Sequence, residues 1–317
     1  MKFWLIIAGS LLIFGLVMFV IVMSINGWDF SKLGASKFVT NTHEIDSRFD
    51  SLSIDTDTAD IYILPSTDGA CRVEAYEMEN AKHSVSVKDG TLFVEINDER
   101  AWYEELNFNT DSPKITVYMP FTELDALVIK ECTGDIEISK NFTLKSVDIS
   151  VTTGDVKCYA SAKDSIKIEA TTGNIFVKDV TSSSIDISLT TGDITLIDVQ
   201  CSGDIGTKLT TGMSKMKNVQ CKNLVSKGST GDLELENVLC QEKLYAKRKT
   251  GDIELDGCDG GEIEFDLTTG DVEGTLLSDK VFITRTSTGD IDVPESITGG
   301  KCKITTTTGD INIKIKK

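Results

Sequence analysis

The chain has 317 residues, long enough for two ordinary domains or one extended array. Its 50 acidic residues outweigh 32 basic ones, and the net charge of -18 excludes a nucleic-acid or anionic-lipid binder that works through a basic face. Two histidines and four prolines leave little room for a zinc site or a proline-rich linker, and no P-loop, HExxH, GxSxG or CxxC string is present.

The first segment sets the expected location. Trp4 to Ile25 are 22 residues without a charge. As a helix rising about 1.5 Å per residue they span about 33 Å, enough for a hydrocarbon core of about 30 Å. A signal peptide has a shorter apolar region followed by small residues, whereas here the exit reads Ser24-Ile25-Asn26-Gly27. The pattern predicts an uncleaved single-pass anchor. Lys2 and the amino terminus favour a cytoplasmic start, Lys32 and Lys37 on the far side weigh against it, and the acidic remainder is expected outside the cytoplasmic membrane. Residues 1–26 are read as the cytoplasmic start and transmembrane anchor, and 27–42 as a juxtamembrane linker. Trp28 and Phe30 fit either an interfacial belt or plain linker.

Residues 43–126 are irregular but strand-like. Phe49–Asp55, Asp60–Leu64, Cys71–Glu77, His83–Val87, Thr91–Ile96 and Lys114–Tyr118 alternate or are rich in β formers. Asp89-Gly90 between two of them is a hairpin signal. Thr58-Ala59-Asp60-Ile61 looks like a decayed copy of the repeat that follows. This part is expected to form an N-terminal β cap and the lead-in turns. Trp102, Tyr103 and Phe108 form an aromatic cluster, expected as cap core or as a contact patch. His43 and His83 read as surface residues.

From 127 to 317 a repeat dominates. Thr-Gly-Asp or a close variant recurs ten times, at Gly134, Gly154, Gly173, Gly192, Gly212, Gly231, Gly251, Gly270, Gly289 and Gly309, at intervals of 19 or 20. Such a period marks a solenoid. Apolar residues recur two and four positions after the glycine (Ile253 and Leu255) and seven before it (Leu244). The local alternation has period two, so each repeat holds two short strands joined at the bend. One repeat cannot bury its inward residues, but repeats stacked at about 4.8 Å can, giving a rod about 43 Å long. The expected fold is an all-β parallel β-solenoid of about ten 19–20-residue turns, with an N-terminal β cap and one transmembrane helix. Ile253 is expected inward and Glu254 outward.

The Thr-Thr-Gly-Asp-Ile repeats resemble those of the bacterial putative-adhesin β-strand-repeat proteins, a domain family of unknown function. Phe49-Asp50-Ser51-Leu52 and the strand end Val117-Tyr118-Met119-Pro120 share the resemblance, which covers about residues 45–315. It implies a right-handed β-helix and an association with cell-envelope stress systems of Gram-positive bacteria. It implies no catalytic residue.

Eight cysteines stand at 71, 132, 158, 201, 221, 240, 258 and 302. Cys158, Cys258 and Cys302 occupy apolar columns and read as small buried hydrophobes. Cys201, Cys221 and Cys240 each follow a repeat glycine by nine residues, so they should stack on adjacent turns. They are either reduced core residues or within reach of a disulfide.

The polar feature that stands out is an acidic stripe. Asp232 and Glu234, Asp252 and Glu254, Asp271 and Glu273, and Asp290 and Asp292 should form two parallel columns on one face. Neighbouring charges about 4.8 Å apart repel by only about 1 kcal/mol in water, so a solvated acidic face is one reading. The other is a site for Ca²⁺ or a cationic partner. Two classes of function follow. One is a non-enzymatic surface rod for adhesion, scaffolding or envelope sensing, with an envelope protein, a glycan or a cationic molecule as partner, or its variant, a divalent-cation-binding module. The other is a β-helix enzyme acting on polysaccharide, which needs convergent carboxylates in a cleft. Turns without long loops disfavour a cleft.

Overall fold

The computed structural model describes residues 2–25, 27–28, 37–98, 112–120 and 123–316. Phe30, Lys32 and the cluster of Trp102, Tyr103 and Phe108 lie outside the described residues. A helix runs over Lys2–Ile25 and ends at Gly27, whose φ of 67° suits a residue without Cβ. The Trp28 amide there donates to the Met23 carbonyl at 2.8 Å. Its stretch Ile7–Ile25 is long and apolar enough to cross a membrane.

The described strands form one 25-stranded sheet wound into a parallel solenoid. Side chains of like position stack in register from turn to turn. One inward column runs Ile136, Val156, Ile175, Ile194, Ser214, Leu233, Ile253, Val272. A second runs Leu127, Val147, Ile166, Ile185, Ile205, Leu224, Leu244, Ile263. These residues are all buried, and each large aliphatic side chain contributes roughly 1.5–3 kcal/mol before chain entropy is subtracted. Ile253 is buried and Glu254 is exposed, as the alternation predicts.

The repeat glycines line one corner. At Gly192, φ is 129°, and a Cβ there would overlap the carbonyl oxygen of Gly173 on the preceding turn. The backbones meet so closely at this corner that no side chain fits between them.

The two ends do not stack in sequence order. At the amino-terminal end, Ser51–Thr58 lies between Thr91–Asp98 and Glu123–Thr133, while Asp60–Pro65 lies between Lys114–Met119 and Ile136–Ile138. The decayed repeat Thr58-Ala59-Asp60-Ile61 is therefore a true turn, with its corner against Gly134. Antiparallel strands close this end: Phe38–Glu44 on Arg72–Met78, Arg72–Met78 on Lys114–Met119, and Ala81–Lys88 on Thr91–Asp98. Phe38–Glu44 begins inside the segment expected to be linker, so the linker gives way to a strand at Phe38.

At the other end the last repeat is inserted one level down. Gly300–Thr305 pairs with residues of Ile253–Thr269 on one side and with Lys280–Arg285 on the other. Ile311–Ile315 pairs with Val272–Leu276 and with Ile291–Asp292. The outermost turn is thus 280–292, and Ile283 and Ile291 on it are 52% and 45% exposed. Lys280 bolts this turn down. A Cβ at Gly300 would overlap the Gly261 carbonyl oxygen on the turn beneath, and Lys280 Nζ reaches across to Asp259 Oδ1 at 2.6 Å and donates to the Gly260 carbonyl at 2.8 Å.

Candidate functional site

The aspartates of the repeat corner are occupied by the fold. On every turn but the outermost, where Asp290 only donates, the Oδ1 of Asp232, Asp252, Asp271 and Asp310 accepts the backbone N–H of the equivalent residue on the next turn. Asp232 accepts from Asp252 at 2.8 Å, Asp252 from Asp271 at 2.8 Å, Asp271 from Asp310 at 2.7 Å, and Asp310 from Asp290 at 2.8 Å. Asn174 takes the same place by accepting from Asp193 at 3.1 Å. The carboxylate charge is therefore dispensable at this step and the acceptor oxygen is not. Asp252→Asn should leave the melting temperature nearly unchanged, while Asp252→Ala should cost about 1–2 kcal/mol, as for a lost cap. Thermal melts of the two variants check this.

The second column of the stripe faces out. In register it reads Lys215, Glu234, Glu254, Glu273, Asn312, Asp292. The inserted turn places Asn312 between Glu273 and Asp292, so Asp290 and Asp292 lie one level farther from the other pairs than their sequence spacing suggests. Lys215 caps the column with an Nζ to Glu234 Oε2 distance of 2.6 Å, and this contact raises the lysine pKa. Beside it, Lys217 meets Glu236 at 2.7 Å and Lys316 meets Asp256 at 2.9 Å. A groove of about 490 Å³ opens over Glu234, Glu254, Asp256 and Glu273, with Gly274 in its lining. The eight carboxylates proposed from sequence run along the rod rather than around a point. Among the described residues no three of His, Cys, Asp or Glu are placed to hold one metal ion.

A second charged ladder lies on another face. Glu264 is held between Lys243 at 2.7 Å and Lys303 at 3.0 Å, and these bonds pull its carboxyl down to about 2. The outer faces are thus laced with ion pairs, each at least partly exposed and individually weak.

Sequence reasoning missed the buried polar groups. His83, read as a surface residue, is 5% exposed. Its Nδ1 lies 2.7 Å from Glu77 Oε2 and its Nε2 lies 2.8 Å from Thr56 Oγ1, while Asn41 Nδ2 donates to Glu77 Oε1 at 2.6 Å. The Thr56–His83–Glu77 order is that of a nucleophile, base and orienting acid. Thr56 is 3% exposed, however, so the network ties the cap together and reaches no substrate. His43 is half-buried, and its Nε2 is enclosed without a partner. Position in the alternation was the available signal, because His83 and Glu77 fall on inward phases of their strands.

Glu131 occupies an inward position next to Thr56, and its Oε2 has no partner. Burial pushes its carboxyl up to about 8, from an ordinary value near 4.5. A raised folded-state value favours the protonated acid, so this group's contribution to stability falls as pH rises from about 4.5 to about 8. Glu131→Gln should stabilise the fold at pH 7 by up to about 3 kcal/mol and flatten that stretch of the pH–stability curve. Denaturant titrations at pH 5 and pH 8 check both effects.

Arg248 is buried in the same column. It lies over Gly228, where a Cβ would crowd its guanidinium, and Nη2 donates to Ser226 Oγ at 3.0 Å. Desolvation lowers its pKa to about 10, and Asp232 partly opposes that. Seven of the eight cysteines are buried, Cys132 being exposed. Cys158, Cys258 and Cys302 sit in the apolar columns, and burial pushes their thiols up to about 11, 11 and 12.

Stacked registers and a glycine corner define a parallel β-solenoid, preceded by one N-terminal apolar helix. The sequence model of the Toastrack DUF4097 family matches residues 49–209 and 202–317, and the chain belongs to that family. Among solved structures it is similar to a putative adhesin from Bacteroides fragilis, at 19% identity over 89% of this chain and 98% of the other, with a TM-score of 0.41. It is also similar to a putative lipid binding protein from Parabacteroides distasonis, at 17% identity over 87% and 97%, with a TM-score of 0.46. A second Parabacteroides distasonis protein, a putative adhesin, shares 13% identity over 89% and 98%, with a TM-score of 0.37. No match is found among curated proteins.

Proposed function

We propose that the chain is a non-enzymatic, membrane-anchored solenoid whose long charged faces dock a partner in the cell envelope, in adhesion, scaffolding or envelope sensing. The observation that carries this reading is the groove over Glu234, Glu254 and Glu273, a shallow acidic trough along the outward column. Such a surface suits a partner that brings positive charge along an extended face. It lacks the paired carboxylates facing across a cleft that glycoside hydrolysis uses. The Ile7–Ile25 helix supports anchoring, and Lys2 together with the acidic solenoid favours an extracytoplasmic solenoid.

The test uses the full-length protein in detergent as bait for native envelope fragments. Saturable retention of an envelope component, lost when Glu234, Glu254 and Glu273 are changed to Lys, is the expected result. Release of soluble sugars from the fragments would overturn the non-enzymatic reading. Retention that depends on calcium and is mimicked by calcium binding in calorimetry would move the function to a cation-binding module.

A further inference from the structure

We propose that Cys221 and Cys240 form an oxidisable dithiol whose disulfide staples two adjacent turns of the solenoid. The two residues are direct partners on neighbouring parallel strands. Strand spacing puts their Cα atoms about 4.8 Å apart, inside the range of about 4.4–6.8 Å that a disulfide spans. Their sulfurs are already 3.5 Å apart. Closing to a bond of about 2.05 Å is within reach of modest side-chain rotation. The next residue in the column after Cys240 is Gly260, so no side chain stacks on Cys240 from that turn. The strand register also shifts immediately after both cysteines, so the backbone here is less constrained than in the regular ladder.

Cys201 is the third member of the column, following the Gln200–Gln220 pair into line with Cys221. Its thiol is turned away, donating to the Asp204 carbonyl at 3.5 Å. Cys221 is shared, so the ladder holds one disulfide at a time, and the observed contact selects Cys240 as its partner. A groove of about 360 Å³ runs along this corner, with Gln200, Gln220 and Gln241 on its rim and Cys201 and Cys221 in its wall. It offers the approach for an oxidant.

The oxidant is of the disulfide class, either an oxidised low-molecular-weight thiol or the disulfide of an oxidoreductase. The Cys221 thiolate attacks one sulfur of that disulfide, the oxidant's S–S bond breaks, and one thiol leaves. The Cys240 thiolate then attacks Cys221 Sγ and expels the second thiol. Two electrons pass from the cysteine pair to the oxidant, and the two protons shed by the cysteines are taken up by the two leaving thiolates. The mutual Cys221–Cys240 hydrogen bond, and after it burial, raise the Cys221 pKa, so the exchange is slow and the staple, once made, is slow to be lost.

The experiment uses the full chain in detergent with Cys132→Ser, which removes the exposed thiol and leaves seven of the eight cysteines. After incubation with excess oxidised glutathione under native conditions, thiols are counted in denaturant and disulfide-linked peptides are mapped. The expected result is loss of two thiols, one linked peptide pair joining Cys221 to Cys240, a higher melting temperature, and reversal of all three by a reductant. Adding Cys240→Ala should abolish the linked peptide pair and leave at most one thiol lost, as a mixed disulfide of glutathione on Cys221. The same mapping on the unsubstituted chain keeps the test independent of how well any variant folds. Retention of all thiols, or a linkage between Cys201 and Cys221 instead, would overturn the proposal.

Discussion

Replacing Ile311 with Asp should unravel the carboxyl-terminal turns, and the same change at Ile291 should have little effect. Ile311 is fully buried between Val272 and Ile291, whereas Ile291 is 45% exposed on the outer turn. At Ile311 the change forfeits about 1.5–3 kcal/mol of apolar burial and leaves an unpaired carboxylate inside, for a total of about 4 kcal/mol or more. At Ile291 the carboxylate stays in contact with water, and the loss is about 1 kcal/mol or less. A stack that followed sequence order would give the opposite ranking, because Ile311 would then stand on the last turn. Thermal melts of the two variants decide between the arrangements. Hydrogen exchange adds the location, since only Ile311→Asp should expose amides on both neighbouring turns.

Gly192→Ala should be among the most damaging single methyl groups that can be added to the rod. The new Cβ would have to occupy the space of the Gly173 carbonyl oxygen, and φ at this residue is 129°, a region that residues with a Cβ rarely enter. Neither backbone can retreat, because both are hydrogen-bonded into the ladder; the Gly192 amide donates to Thr211 at 3.1 Å. A loss of several kcal/mol is expected, comparable to the whole marginal stability of a small domain. Gly69→Ala is the control: φ is also positive there, but the position is open, so a loss of about 1 kcal/mol is expected. Equal melting temperatures for the two variants would show that the turns do not meet at the glycine corner.

The glycine corner and the inward columns were legible because they are local and periodic. A threonine, a glycine and an acceptor recur with fixed spacing, and the alternation on either side fixes which face is inward. The order of the turns was not legible for the same reason. Ile263, Phe282 and Cys302 occupy equivalent positions, so either of the last two repeats presents suitable residues to the turn beneath it. What favours the inserted order is a pair of long-range details, the bare Gly300 that meets the Gly261 carbonyl and the Lys280 that reaches Asp259. Glu131 and Arg248 escaped notice because they lie three residues before the repeat glycine, a position outside the three columns aligned for the core. The Gly228 beside Arg248 was the available clue, since a missing side chain in an apolar column makes room for an oversized neighbour. The aspartates were legible as a stripe but not as hydrogen-bond acceptors for the next turn, which depends on how the corners superpose. Phe38–Glu44 was hidden by its polar composition, with Thr40, Asn41, Thr42 and His43 in its middle.

These features divide the acidic stripe into a structural column and a free one. The aspartates stitch the turns, so substitutions there report on folding. Glu254 and Glu273 face outward, so substitutions there report on binding. This separation lets a docking defect be told from a folding defect without a known ligand, by comparing Asp252→Ala with Glu254→Lys in the same melt and retention assays.

The proposed function rests on where the solenoid sits. An epitope placed after Lys317 and probed with antibody on intact protoplasts, alongside a cytoplasmic marker, tests this most directly. Strong labelling of intact protoplasts, unchanged by permeabilisation and retained in the membrane fraction, is the predicted result. Labelling only after permeabilisation, or recovery of the tagged solenoid in the soluble fraction without its helix, would contradict an anchored extracytoplasmic rod.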